Sequence, residues 1–255
     1  MGVDCTLFQQ LVELSTRFQP EGRSLMLGRQ SFRIERQFAR RYDAALRRAG
    51  LEKRRFGLVQ DDGFSEKLFA ELGLGEIETM DYASFEGPSI EQDLNQPVPE
   101  SLYNQFGFIF DGGTIEHVFN VPQALENVFH MLKPGGRFVS ANGMNGWVGH
   151  GMYQFSPELV WTFWKRKCHA NVHMCAGIHK IPGRADPLNF PDAAETGRRL
   201  KLKGKIPTGR MYLYYEVEKT DETLSSGSVL QSDYERFWDT AAQDTPKAEG
   251  KGVSI

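Results

Sequence analysis

The chain has 255 residues, 25% of them charged and 12% aromatic, which gives room for one large α/β domain or two small ones around a sizeable core. Its net charge of −3 supplies no bulk attraction to nucleic acid or to an anionic membrane, and the local basic clusters (Arg40-Arg41, Lys53 to Arg55, Arg198 to Lys205) read as solvated faces. The three cysteines, Cys5, Cys168 and Cys175, do not make a disulfide framework and suit a reducing, cytoplasmic setting.

The start, MGVDCTLFQQ, lacks the basic and apolar regions of a signal peptide and fits the myristoylation pattern only formally. No uncharged apolar run approaches the ~18 residues that span a bilayer. Residues 6–18 predict an amphipathic helix, with Leu7, Leu11, Leu14 and Phe18 on one stripe. Leu25-Met26-Leu27 reads as a short buried parallel strand. Residues 30–49 look helical and are closed by Gly50; Ser65 to Leu72 is a second helix, ended by Gly73. Glu76–Met80 leads into Asp81, and Ser89–Gln92 into Asp93, as two short strands that each end in an acid. The clearest unit is strand 106–110, the turn DGGTIEHVF, an amphipathic helix over Pro122–Leu132, a Pro134-Gly135-Gly136 turn and strand 137–142. That spacing is a βαβ unit and implies a parallel sheet. An aromatic helix starts at Ser156-Pro157-Glu158, and MYLYYEV (211–217) is a strong late strand. The polar tail 236–255 reads as disordered.

The block DGGTIEHVFNVPQALENVFHMLKPGGRFVSAN, residues 111–142, resembles the class I S-adenosylmethionine-dependent methyltransferases of the small-molecule branch; the likeness extends more loosely over 24–217. It implies a Rossmann-like, doubly wound, mostly parallel sheet with helices on both faces and an antiparallel late strand. One domain, 1–235, is expected, with an aromatic acceptor-side segment at about 147–180. Ligands of such sheets bind at the carboxyl ends of the strands. The resemblance makes Asp81 the ribose ligand, Asp93 with the Leu94 amide the adenine contacts, and Asp111, Gly112 and Gly113 the close-approach turn of the fourth strand. It makes S-adenosyl-L-methionine the cofactor and S-adenosyl-L-homocysteine the product.

The first strand departs from the family. SLMLGRQSF carries one glycine where a glycine-rich loop is expected, and 53 residues separate Gly28 from Asp81 instead of about 20. An insertion is therefore expected at about 31–63. Gly28 keeps the close-approach position, and Gln30, Asp61 and Asp62 are candidates for the cofactor's methionine end.

Three residues are candidates for the chemistry. His117, His150 and Tyr153 follow the fourth and fifth strands, and an imidazole suits general-base work on an acceptor hydroxyl. His150, between two glycines, is favoured as the base. Cys168, His169, His173, Cys175 and His179 have the composition of a metal cluster, but along a strand they are too widely spaced, and no metal is expected. The resulting expectation is O-methylation of a small molecule without nucleic-acid or membrane partners. The alternative is a non-catalytic scaffold or partner subunit that lost the glycine loop.

Overall fold

The structure is a computed structural model that describes residues 2–51, 55–196, 201–221, 224 and 228–231; the tail 236–255 lies outside them. The elements in chain order are β1 (Gly2–Val3), α1 (Cys5–Ser15), β2 (Arg23–Leu27), β3 (Ser31–Phe32), α2 (Ala39–Arg48), α3 (Glu66–Glu71), β4 (Ile77–Asp81), β5 (Ile90–Glu91), β6 (Phe106–Asp111), α4 (Val121–Met131), β7 (Leu132–Asn145), α5 (Pro157–Leu159), β8 (Asn171–His179), β9 (Leu188–Asn189), α6 (Ala193–Thr196) and β10 (Met211–Glu218).

Eight strands form one sheet in the order β5-β4-β2-β6-β7-β10-β8-β9. β5, β4, β2, β6 and β7 run parallel, and β10 lies antiparallel between β7 and β8. The expected doubly wound sheet with an antiparallel late strand is therefore present. Alternate residues of the strands face opposite sides. Met26, Phe108, Phe110 and Val139 join the core beneath α1, α2 and α3, whereas Leu25, Leu27, Ile109 and Phe138 join the core beneath α4. The order reverses at β2: the chain runs outward to β4 and β5, then returns to β6. The carboxyl ends of β2 and β6 therefore flank the switch point, where open α/β sheets receive ligands. Among the described residues no helix is long and apolar enough to cross a membrane.

Three sequence expectations are corrected. The helix expected over 30–49 starts as an α-helix only at Ala39, because Ser31 and Phe32 pair in parallel with Gly2 and Val3. The Pro134-Gly135-Gly136 turn is part of β7, which begins at Leu132. Gly135 N donates to Lys219 O (2.8 Å) and Lys219 N to Gly136 O (3.0 Å), so the chain end of β10 extends the strand through the glycines. The aromatic helix begins as α5 and continues as a π-helical stretch over Val160–Lys167, where Cys168 N reaches Phe163 O. Of that segment, Val160, Phe163 and Trp164 are buried in the core, with Trp164 packed on Phe138.

The stretch after the π-helical segment is tied down by Asp192. Its carboxylate accepts from Arg166 (2.6 Å), Lys165 (3.0 Å) and the Ala194 amide (3.0 Å). Burial alone would push this carboxyl up; its three donors outweigh burial and hold it below the usual carboxylate range. A depressed folded pKa stabilises the protein above the unfolded value near ~3.9, and that contribution is lost as pH falls through the folded value. Asp192→Asn is expected to cost about 1–2 kcal/mol at pH 7, since both cationic partners are partly exposed. The difference from wild type narrows in urea unfolding as pH falls below about 4.

Candidate functional site

The carboxyl ends of β2, β4, β5, β6 and β7 bring the sequence candidates to one edge of the sheet. Leu27 is level with Met80 on β4 and Asp111 on β6, and Asp111 is level with Ser140 on β7. Asp81 therefore stands one residue beyond the pairing of β2 with β4. Its carboxylate accepts from the Tyr82 amide (2.7 Å) and distantly from the Arg29 amide (3.4 Å), and it is half-buried. Asp93 lies just past β5; its Oδ1 closes a turn onto Asn95, accepting from the backbone amide (2.9 Å) and from Nδ2 (2.8 Å). Leu94 is buried beside it, and its carbonyl accepts from Asn127 Nδ2.

Asp111 is fully buried. It accepts from the amides of Gly113 (3.1 Å), Thr114 (2.7 Å) and Ile115 (3.4 Å), from Ser140 Oγ (3.0 Å) and from Asn142 Nδ2 (2.6 Å). Burial pushes its carboxyl up, and these donors pull it back. Its oxygens hold the turn that carries Gly112 and Gly113.

The first-strand loop is built differently from the expectation. Gly28 has φ +64°, and a Cβ there would collide with Thr114 Oγ1. The space that its missing side chain leaves is thus used by Thr114, not kept open. Gln30 is buried; its Nε2 donates to Leu27 O (3.1 Å), Gly28 O (3.3 Å) and Thr114 Oγ1 (3.2 Å), while its Oε1 is buried without a hydrogen-bond partner. Arg29 stacks on Phe64, pairs with Asp62 (3.0 Å) and Glu66, and donates to Glu86 O (2.7 Å). Asp62 is thereby engaged in closing this corner, and Asp61 is exposed. The insertion itself packs inward: Phe32 stacks on Phe8 at 5.7 Å, and Tyr42 meets Phe8 at 4.8 Å.

Sequence reasoning missed the acid between these candidates. Glu116 sits in the 3₁₀ turn Ile115–His117 after β6, with its side chain 1% exposed. Oε2 accepts from the Gly143 amide; Oε1 lies 3.3 Å from His150 Nε2 and 3.8 Å from His117 Nε2, and has no hydrogen-bond partner. Its amide donates to Asn142 Oδ1 (3.2 Å), which joins this acid to the Asp111–Ser140–Asn142 network. Its carbonyl accepts from the Met152 (2.9 Å) and Tyr153 (3.3 Å) amides. The glycines of GMNGWVGHG serve this packing: a Cβ on Gly143 would come within 2.9 Å of Glu116 Oε2, and one on Gly151 within 2.9 Å of Glu116 O.

His117 and His150 rings meet edge-on at 5.2 Å, and His150 also packs on Trp147 at 4.9 Å. Burial pushes the Glu116 carboxyl up to about 7 and both imidazoles below their usual range. Tyr153 is close by, but its hydroxyl donates to Phe119 O (2.8 Å). The sequence signal for Glu116 was its place beside His117 in IEH, with glycines recurring downstream where the chain must approach it. The Cys168–His179 cluster does not converge. His173 pairs with Glu218 (2.9 Å), and His179 Nε2 faces Thr208 O (3.0 Å).

The rim of this edge is apolar. Tyr82 and Phe85 after β4, Phe119 after β6, and Val148 and Met152 after β7 are all exposed. A cavity of about 470 Å³ lies elsewhere, between α1, α2 and segment 178–187, lined by Thr6, Gln10, Arg41, His179 and Asp186.

No family model matches the chain, and no curated protein matches it. Among solved structures it is similar to the Burkholderia thailandensis 1,6-didemethyltoxoflavin-N1-methyltransferase with bound 1,6-didemethyltoxoflavin and S-adenosylhomocysteine, at 12% identity over 85% of this chain and 78% of that one, with a TM-score of 0.45. It is similar also to the [4+2]-cyclase SpnF, at 12% identity over 83% and 80% with a TM-score of 0.43. A third is a geranyl diphosphate methyltransferase in complex with SAM, at 12% identity over 85% of each chain with a TM-score of 0.41.

Proposed function

We propose that this chain is an S-adenosylmethionine-dependent methyltransferase of a small molecule, with an oxygen atom as the methyl acceptor. The observation that supports it is the pairing of two strand-end acids, Asp81 and Asp93, with the Glu116–His117–His150 cluster on the other side of the switch point.

The adenosine half of the cofactor suits the residues present. Asp81 is half-buried at the end of β4, where a carboxylate accepts from both ribose hydroxyls. Asp93 and the Leu94 amide sit past β5 as acceptor and donor for an adenine edge. The methionine half meets a narrower corner, where Gln30 and Thr114 fill the space above Gly28. The buried, unpartnered Gln30 Oε1 and the Gly112–Gly113 turn are the protein's contacts on that side.

The cofactor, when bound, supplies a methyl group on a sulfonium for in-line displacement. The chain's own residues position the acceptor and remove its proton. Orientation supplies much of such catalysis. The apolar rim of Phe119, Val148 and Met152 excludes water from an acceptor. The His150 imidazole is the acceptor for a hydroxyl proton, and Glu116, which faces its Nε2, stabilises the imidazolium that results. Tyr153 braces the Phe119 loop through its hydroxyl.

A non-catalytic scaffold is the second reading. It is favoured by the Gln30–Thr114–Arg29 corner, which closes where a glycine loop would leave room. Calorimetric titration with S-adenosylmethionine and S-adenosylhomocysteine separates the two. The proposal expects saturable heat with both ligands and at least about a tenfold weakening in Asp81→Ala, the loss of roughly 1.4 kcal/mol of binding. No heat with either ligand would sink it in favour of the scaffold.

A further inference from the structure

We propose that Glu116, His117 and His150 form a binding site for a divalent transition-metal ion of the zinc or cobalt type. Two imidazole nitrogens and one carboxylate oxygen are a common three-ligand set for such ions, and imidazole favours them over magnesium or calcium. The three ligand atoms all lie within 4.8 Å of one another. Ligands at ~2.1 Å from one ion stand about 3.0–3.5 Å apart. The Glu116–His150 separation of 3.3 Å already meets that spacing. The Glu116–His117 separation of 3.8 Å and the His117–His150 separation, within 4.8 Å, would close by a turn of the His117 ring, which is exposed.

A second observation points to a ligand. Glu116 Oε1 is buried, lacks a hydrogen-bond partner and is aimed between the two imidazoles. Its twin Oε2 is held from behind by the Gly143 amide, and its own amide by Asn142. Outer contacts of this kind fix a ligating carboxylate in a metal site. A buried polar atom without a partner is costly, and a cation relieves that cost directly.

Three protein ligands leave coordination positions open toward the exposed His117 side, as in sites that bind substrate oxygens. An acceptor hydroxyl or carboxylate oxygen fits there. The cation would then acidify the acceptor in place of His150, so one imidazole is either ligand or base. The site stands without the methyl-transfer reading, and its test uses neither cofactor nor turnover.

The full chain, stripped with a chelator, is titrated with Zn²⁺ by calorimetry and with Co²⁺ by visible absorption. One equivalent of each metal should bind, with an intense Co²⁺ d–d band from an asymmetric nitrogen–oxygen site. His150→Ala and the surface variant His117→Ala should each weaken Zn²⁺ at least tenfold, while His173→Ala on β8 binds as wild type does. Circular dichroism melts confirm that each variant is folded. No Co²⁺ band at millimolar metal, or undiminished binding in folded His117→Ala/His150→Ala, would overturn the site and leave a histidine–carboxylate ion pair.

Discussion

Asp111→Ala is expected to destabilise the protein by about 3–5 kcal/mol in urea unfolding, the largest loss for any single polar residue of the site. The fully buried carboxylate is the shared acceptor for three successive amides and for the side chains of Ser140 and Asn142. Each donor left buried without a partner costs about 1–3 kcal/mol, and water entering the gap recovers part of the sum. Asp81→Ala is the control; at the half-buried end of β4 it should stay within about 0.5 kcal/mol of wild type. The consequence reaches the candidate site, because Asn142 donates to Asp111 and accepts from the Glu116 amide. A folded Asp111→Ala should therefore also weaken Zn²⁺ binding. A stability loss below about 1 kcal/mol would show that these donors find other acceptors and that the network is not the anchor of the turn.

The second large effect lies on the other face. Phe8 is fully buried between Phe32 and Tyr42, so it joins α1 to both parts of the insertion. Phe8→Ala removes a large side chain from a dry cluster and should cost about 3–5 kcal/mol. Phe8→Leu, which keeps much of the volume, should cost distinctly less. Hydrogen exchange gives the local readout. Phe32 N donates to Gly63 O (2.9 Å), and that amide should lose protection in Phe8→Ala before the amides of β6 do. Uniform loss across the sheet would mean that the insertion and the sheet unfold as one unit.

Much of the sheet was legible because its strands carry strong local signals. FGFIF and MYLYYEV are apolar runs of strand length, and the βαβ unit around α4 has the expected spacing. Asp81, Asp93 and Asp111 were correctly placed at strand ends. Their different uses were not readable: all three are acids after a strand, yet Asp111 is buried under five donors while Asp81 stays at the rim. Burial of a carboxylate depends on which neighbouring strand supplies Ser140 and Asn142, and that is a matter of register between β6 and β7. The pairing of Ser31-Phe32 with Gly2-Val3 escaped for the same reason, since a two-residue strand has almost no local pattern.

The sequence by itself determined the βαβ unit and its parallel strands, the absence of a glycine-rich first loop and the set of polar residues at the strand ends, because periodicity and turn chemistry are local; the doubly wound order came from the family resemblance. Only the tertiary structure decided what replaced that loop and where the site's acid lies. Gln30 and Thr114, in the loops after β2 and β6, are 84 positions apart in the chain, yet they fill one gap over Gly28. Glu116 meets His150 only because β6 and β7 lie side by side and Gly143 and Gly151 let the chain close around the carboxylate. Such convergence depends on distances between chain-remote atoms, which no pattern along the chain records.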